Sequence, residues 1–248
     1  MADFLVIDSG NTQAKFGFVR DGVIIQTLSV LNADIDQDIV GTLRKNGFSL
    51  ETFVVLASVV PDILACVQAV FSCPVYCVDH HHCGGLQLDV SNPAEVGADR
   101  LVNAYAAWKM NGVSQLIIDF GTATTLDVLD DKGRYSGGLI LPGVDLSLQT
   151  LHRATAKLPL VQIQRTKKVL GKTTIEAINQ GLYWGYIAMI EGLIARLQSE
   201  QGDKFHVTAT GGYADVLAAD CTLISDIDAE LTLKGLAFLG GDFVSQGR

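Results

Sequence analysis

Positive charge is scarce in this sequence. Lysine and arginine together number 18 against 27 aspartates and glutamates, which leaves a net charge of −9 over 248 residues. So acidic a chain is poorly suited to wrapping nucleic acid or lying on an anionic membrane, and neither is expected as a partner. An anionic ligand must then be held by local donors such as backbone N–H groups, a metal or a single arginine. Long apolar runs are missing too. Phe4–Ile7 stops at Asp8, and no segment approaches the roughly 20 apolar residues of a membrane span. The opening Met1-Ala2-Asp3 lacks the basic region of an export signal, so a cytoplasmic location is expected. Cysteine is also sparse. The five are Cys66, Cys73, Cys77, Cys83 and Cys221, an odd and mostly clustered set that argues for reduced thiols rather than a disulfide framework.

Apolar residues are plentiful. They make up 48% of the chain with only 18% charged, so a sizeable core forms and extended disorder is excluded. The length suits one large domain or two lobes sharing a cleft. Short apolar runs at 4–7, 15–19, 23–30, 52–60 and 75–78 read as strands, and Asp21-Gly22 between two of them reads as a hairpin turn. Helices are predicted over 39–45, 61–71 and the stretch ending at Met110, where Leu101, Ala104, Tyr105 and Trp108 share a face. The second half begins the same way. A strand at 116–118 ends at Asp119, a hairpin follows around Asp131-Lys132-Gly133, and helices are predicted over 144–154, 174–198, 213–219 and 231–239. Asp8-Ser9-Gly10-Asn11-Thr12 and Asp119-Phe120-Gly121-Thr122 are thus echoes, 111 positions apart (119 − 8). This predicts an α/β chain of two related lobes, 1–113 and 114–248, each opening with an Asp-x-Gly turn.

A strand that ends in Asp-x-Gly and folds straight back sets several N–H groups on one side of a tight turn. Glycine there permits a positive φ and a close approach by phosphate. Asn11, Thr12 and Thr122 add donors, and the Asp8 and Asp119 carboxylates can hold a cation that offsets phosphate charge. Ordinary hairpins use the same residues; it is the pair that points to polyphosphate. Thr208-Ala209-Thr210-Gly211-Gly212, between a strand and a helix, offers a surface for an adenosine or serves as a plain turn. Gly97-Ala98-Asp99-Arg100 opens a helix. There Asp99 can accept the proton of an alcohol during phosphoryl transfer while Arg100 binds an anion. The same acid also serves as a commonplace helix-start residue.

Cys77, His80, His81, His82 and Cys83 raise a zinc reading, but the spacing fits no standard site and an exposed loop after a strand is favoured. Gly171-Lys172-Thr173-Thr174 looks like the end of a Walker loop. Thr166 stands where that loop needs its first glycine, so a loop capping the next helix is the simpler reading. His152 and His206 are isolated, and Trp108 and Trp184 read as core residues.

Taken together these motifs resemble the type III pantothenate kinases, a branch of the acetate and sugar kinase, heat-shock protein and actin superfamily. Asp8–Thr12 looks like the family's first phosphate motif, Glu95–Arg100 its substrate motif and Asp119–Thr125 its second phosphate motif. Gly137-Gly138, Ile140–Gly143, Gly171–Thr174 and Thr210–Gly212 follow in order. The resemblance spans essentially the whole chain. It implies duplicated actin-like (ribonuclease H-like) lobes, with mixed sheets flanked by helices and an interlobe cleft. It implies ATP, delivered with Mg2+, phosphorylating pantothenate as the first step towards coenzyme A. By it, Asp8, Ser9, Gly10, Asn11, Thr12, Gln13, Ala14 and Lys15 bind ATP together with Thr122. Asp99 is the proton acceptor; Gly97, Ala98, Asp99, Arg100 and Thr174 bind pantothenate; and Asp119 holds a monovalent cation, K+ or NH4+. A homodimer is also implied. The chain departs from the family at Val90, where an aromatic residue is usual, and Ser9 and Gln13 stand where the family often has other residues. Two other functions keep the fold. One is an actin-fold phosphatase or polyphosphate hydrolase, which needs no alcohol pocket; the other is a nucleotide-binding regulatory accessory protein. Retaining both turn aspartates and Asp99 argues against the latter, because a charge without a role costs solvation.

Overall fold

A computed structural model describes residues 3–32, 35, 39–48 and 53–245, apart from the side chains of Pro61 and Asp62. The first part of the chain runs β1 (Phe4–Ser9), β2 (Gln13–Arg20), β3 (Val23–Leu31), α1 (Ile39–Lys45), β4 (Val54–Ser58), α2 (Pro61–Val70), β5 (Val75–Cys77), β6 (Gln87–Leu88) and α3 (Ala98–Asn111). The rest runs β7 (Gln115–Phe120), β8 (Ala123–Leu129), β9 (Arg134–Pro142), α4 (Val144–Arg153), α5 (Thr174–Gln201), β10 (His206–Thr210), α6 (Ala214–Ala218), β11 (Asp226–Ile227) and α7 (Leu231–Ser245). Two compact units result. One comprises Met1–Gly112, Gly133–Tyr135 and Glu230–Arg248; the other comprises Val113–Lys132 and Ser136–Ala229. Helix α7 is counted with the first unit.

In the first unit the strand order is β3-β2-β1-β4-β5. Strand β1 runs antiparallel to β2 and parallel to β4. Phe4, Leu5, Val6 and Ile7 are all almost completely buried, as befits a central strand covered on both faces. On one face Leu5 and Ile7 join Phe16, Phe18, Leu56, Leu43, Ile63 and Val67 in a single cluster. On the other face lies α7. A Cβ at Gly240 would run into the Phe4 ring, and one at Gly235 would meet the Val102 carbonyl at 2.5 Å, so α7 sits close to both β1 and α3. This approach carries α7 straight through Gly240-Gly241, where the sequence pattern ends the helix at 239; the glycines are kept for contact, not for termination. Thr232 donates to Asn103 at 2.8 Å, and Tyr105 donates to Asp242, fastening α7 to α3. Helix α3, which carries Asp99, is therefore held rigidly against the sheet. The β2–β3 hairpin turns at Asp21 (φ 50) and Gly22 (φ 80), the pair of positive φ values that a two-residue hairpin demands.

In the second unit β7 is again central, parallel to β10 and antiparallel to β8. Leu116, Ile118 and Phe120 belong to one cluster with Tyr183, Ile187, Ile190 and Ile194 of α5. That helix starts with a side-chain cap, Thr173 accepting from the Glu176 N–H at 3.2 Å, and stops at Gly202 in the left-handed conformation. The two-residue strands β6 and β11 are too short for any hydrophobic period to announce.

Candidate active site

Strand β1 delivers the first turn. Asp8 pairs in register with Lys15 of β2, and Ser9 with Ala14. Between them the Gly10 N–H donates to the Gln13 carbonyl at 3.1 Å, which closes the turn. Asn11, Thr12 and Gln13 are exposed, so their donors face solvent, whereas the Ala14 side chain is fully buried and could reach a ligand only through its backbone. The turn is braced from outside. Asn32 donates its side-chain N–H to the Gly10 carbonyl at 2.8 Å, and its backbone N–H donates to the Thr12 carbonyl at 3.0 Å. Asn32 carries no sequence signal, because it lies 22 residues from its partner. Ser9 is 1% exposed and, among the described residues, its hydroxyl has no partner.

Asp99 stands in the first turn of α3, whose N-cap is Gly97 (φ −58). Its carboxylate accepts the Arg100 N–H at 2.8 Å, one of the donors that a helix start leaves open. A Cβ at Gly97 would lie 2.6 Å from the Asp99 carboxylate, so glycine leaves room for that side chain. Asp8 feels the Asp99 charge. Burial pushes the Asp8 carboxyl up from 3.8 to about 6, the Asp99 charge adds to the rise, and Lys15 opposes it. The sequence placed both acids in this chemistry without saying that they interact.

The second turn is tighter. Asp119 pairs with Thr125 and Phe120 with Thr124, leaving Gly121-Thr122-Ala123 to reverse the chain, with Thr122 exposed. The Gly143 N–H donates to the Thr122 carbonyl at 3.1 Å, and a Cβ on Gly143 would collide with the Thr122 and Gly121 carbonyls. Gly211 (φ 89) approaches from the other side, where a Cβ would collide with the Asp119 carboxylate and the Phe120 backbone. Positive φ is thus needed at Gly211 and not at Gly10 or Gly121. The expectation that the turn glycines supply it is corrected. The Gly211-Gly212 bend leads into α6, only five residues long, so a helix-dipole argument there loses its force.

Thr174 opens α5, exposed, one residue past the Thr173 cap. Beside it in the second unit is a cavity of about 710 Å3, walled by residues 160–162 and 164–168 and by Ile175, Glu176, Asn179 and Gln180. Gln180 is 4% exposed and its carbonyl oxygen has no partner among the described residues. Gly171–Thr174 serves as the approach to a helix cap and follows no strand, so it is not a Walker loop. His82 bonds Asp79 at 2.9 Å while the His80 and His81 rings lie tilted by 40° with centroids 3.9 Å apart; among the described residues no three metal-binding side chains converge. His152 bonds the Leu158 carbonyl at 2.6 Å and His206 bonds Asp226 at 2.6 Å.

Comparison with known proteins bears on all of this. The sequence profile of the type III pantothenate kinases matches residues 4–196. A type III pantothenate kinase of Paramagnetospirillum magneticum is 41% identical over 246 residues, covering 94% of each chain. The chain belongs to the type III pantothenate kinase family. The fold also agrees with solved structures. A conserved Campylobacter jejuni protein assigned as a Baf family transcriptional activator superposes with a TM-score of 0.67 at 17% identity, over 97% of this chain and 99% of that one. The activator of 2-hydroxyisocaproyl-CoA dehydratase from Clostridium difficile, with bound ADPNP, gives 0.57 at 12% identity over 99% and 97%. The fold is the actin-like ATPase and sugar kinase fold, α/β with two mixed sheets flanked by helices.

A type III pantothenate kinase needs a place for magnesium beside the nucleotide. The residues present fit one. The Asp8 carboxyl is pushed up by burial and by the Asp99 charge, a crowding of negative charge that a cation would relieve, and one or two carboxylates plus substrate phosphates suit magnesium. No helix among the described residues is long and apolar enough to cross a membrane.

Proposed function

We propose that the chain transfers the γ-phosphoryl group of ATP to the hydroxyl of pantothenate, opening coenzyme A synthesis, with Asp99 as the proton acceptor. The observation that carries this is electrostatic: the Asp99 charge adds to the rise of the buried Asp8 carboxyl, which supports reading the α3 start and the first turn as parts of one site. Asp8–Lys15 and Thr122 bind ATP, the exposed donors of Asn11 and Thr12 and the Lys15 ammonium meeting its phosphates. Gly97–Arg100 and Thr174 bind pantothenate, Arg100 answering its carboxylate. The cavity beside Thr174, with its unpartnered Gln180 oxygen, supports placing a small polar molecule there. Asp119 holds a monovalent cation, potassium or ammonium. Stretches 1–113 and 114–248 act as the two lobes, and the enzyme works as a cytoplasmic homodimer.

In the reaction the pantothenate O–H bond breaks as the new O–P bond forms. Asp99 takes the proton and ADP departs with the electrons of the broken P–O bond. Magnesium, when bound, offsets phosphate charge. The loose character of such transfers asks for placement rather than strong basicity, which a carboxylate fixed to a helix start by the Arg100 N–H supplies.

The test is direct. Purified protein with ATP, magnesium and pantothenate should form phosphopantothenate, seen by mass, and potassium should accelerate it. Phosphate release at an equal rate without pantothenate would instead identify a hydrolase.

A further inference from the structure

The second turn is enclosed by more than its two glycines. Tyr213 donates its hydroxyl to the Asp145 carboxylate across 68 residues of sequence. Its backbone N–H donates to the Phe120 carbonyl at 3.4 Å. Asp145 lies in the first turn of α4, whose preceding Gly143 donates to the Thr122 carbonyl at 3.1 Å. Followed around, these bonds close a ring: Phe120 to Thr122 along the turn, across to Gly143, along to Asp145, across to Tyr213, and back to Phe120. The ring ties down both ends of the turn at once. The Tyr213 ring also packs on the second core, while its hydroxyl is answered by Asp145. Burial and that hydrogen bond push the hydroxyl's titration up, so it remains a donor.

We propose that Tyr213 and Asp145 form a clasp that holds the Asp119–Thr122 turn in its nucleotide-binding shape, acting as positioning residues for ATP and not for pantothenate. This rests on the reading that the turn contacts ATP. Loss of the clasp lets the turn sample other shapes, so binding weakens while the chemical step, once ATP is seated, is unchanged. That is the signature of a raised KM at constant kcat.

The experiment compares steady-state kinetics of Tyr213→Phe, Asp145→Ala, Asp145→Asn and Thr122→Ala with the parent enzyme. Tyr213→Phe keeps the ring in the core and removes only the donor. It should raise KM for ATP about tenfold, the worth of one hydrogen bond to a charged group, with kcat and KM for pantothenate within about twofold. Asp145→Ala should match it. Asp145→Asn should restore near-parent values, because its amide oxygen still accepts from Tyr213. The proposal is overturned if Tyr213→Phe leaves KM for ATP unchanged, or if all constants fall together with the melting temperature. It is equally overturned if Asp145→Asn is as damaging as Asp145→Ala. Thr122→Ala separates the two layers. An unchanged KM for ATP there overturns the turn's nucleotide role and the clasp's with it. A raised value with Tyr213→Phe silent overturns the clasp alone.

Discussion

The two Asp-x-Gly turns are written alike and built differently. The Asp8 turn stands open: Asn11, Thr12 and Gln13 are exposed, and a Cβ at Gly10 would meet only the Gln13 carbonyl at 3.6 Å. The Asp119 turn is gripped by backbone at Gly143 and Gly211. A motif that repeats in sequence therefore divides the labour in space. One copy offers donors and an acid under electrostatic load from Asp99; the other offers a fixed carboxylate and hydroxyl. The glycines differ to match: Gly10 has space beside it, whereas Gly143 and Gly211 make room for the second turn's own backbone.

The largest test of that division falls on the two acids, Asp99 and Asp8. Asp99→Asn should lower kcat by about a thousandfold, within the range for a general base, while ATP and pantothenate still bind in calorimetry. Retained turnover would remove Asp99 from its role. Asp8 comes next. Its carboxyl titrates near 6 in the folded chain against 3.8 ordinarily, so between those values the folded state holds the extra proton. Stability of the ligand-free protein should therefore fall as pH rises from about 4 to about 6 and then level, by at most about 3 kcal/mol from this group. Asp8→Asn should abolish that fall in urea unfolding curves and leave a more stable but inactive protein. The glycines sharpen the contrast further. Gly143→Ala should cost about 1–3 kcal/mol through collision with the turn's carbonyls. Gly10→Ala should cost under about 0.5 kcal/mol and yet weaken ATP binding. Equal stability losses at the two sites would erase the distinction. Smallest is Asn32→Ala, which removes one brace on the first turn and should cost about 1 kcal/mol with a few-fold rise in KM for ATP.

Much of this was legible in the sequence, for physical reasons. An apolar run broken by Asp-x-Gly marks a strand end and a turn wherever it occurs, and a cap pattern such as Thr173 with Glu176 declares a helix start. Both signals are local. The braces and clasps were not legible, since Asn32 reaches 22 residues back and Tyr213 reaches 68 to its acceptor, and neither pairing follows a period. The length of α7 was hidden for the same reason. Gly240 reads as a stop in sequence and is a close contact with Phe4 in space. Nor could the sequence say that Asp8 and Asp99, 91 positions apart (99 − 8), share one electrostatic environment.

The proposal that each turn contacts ATP is tested most directly by KM for ATP measured in Thr12→Ala and in Thr122→Ala. Both values should rise about tenfold, the loss of a hydrogen bond to a charged phosphate, with KM for pantothenate unmoved. An unchanged value in either variant would contradict the account.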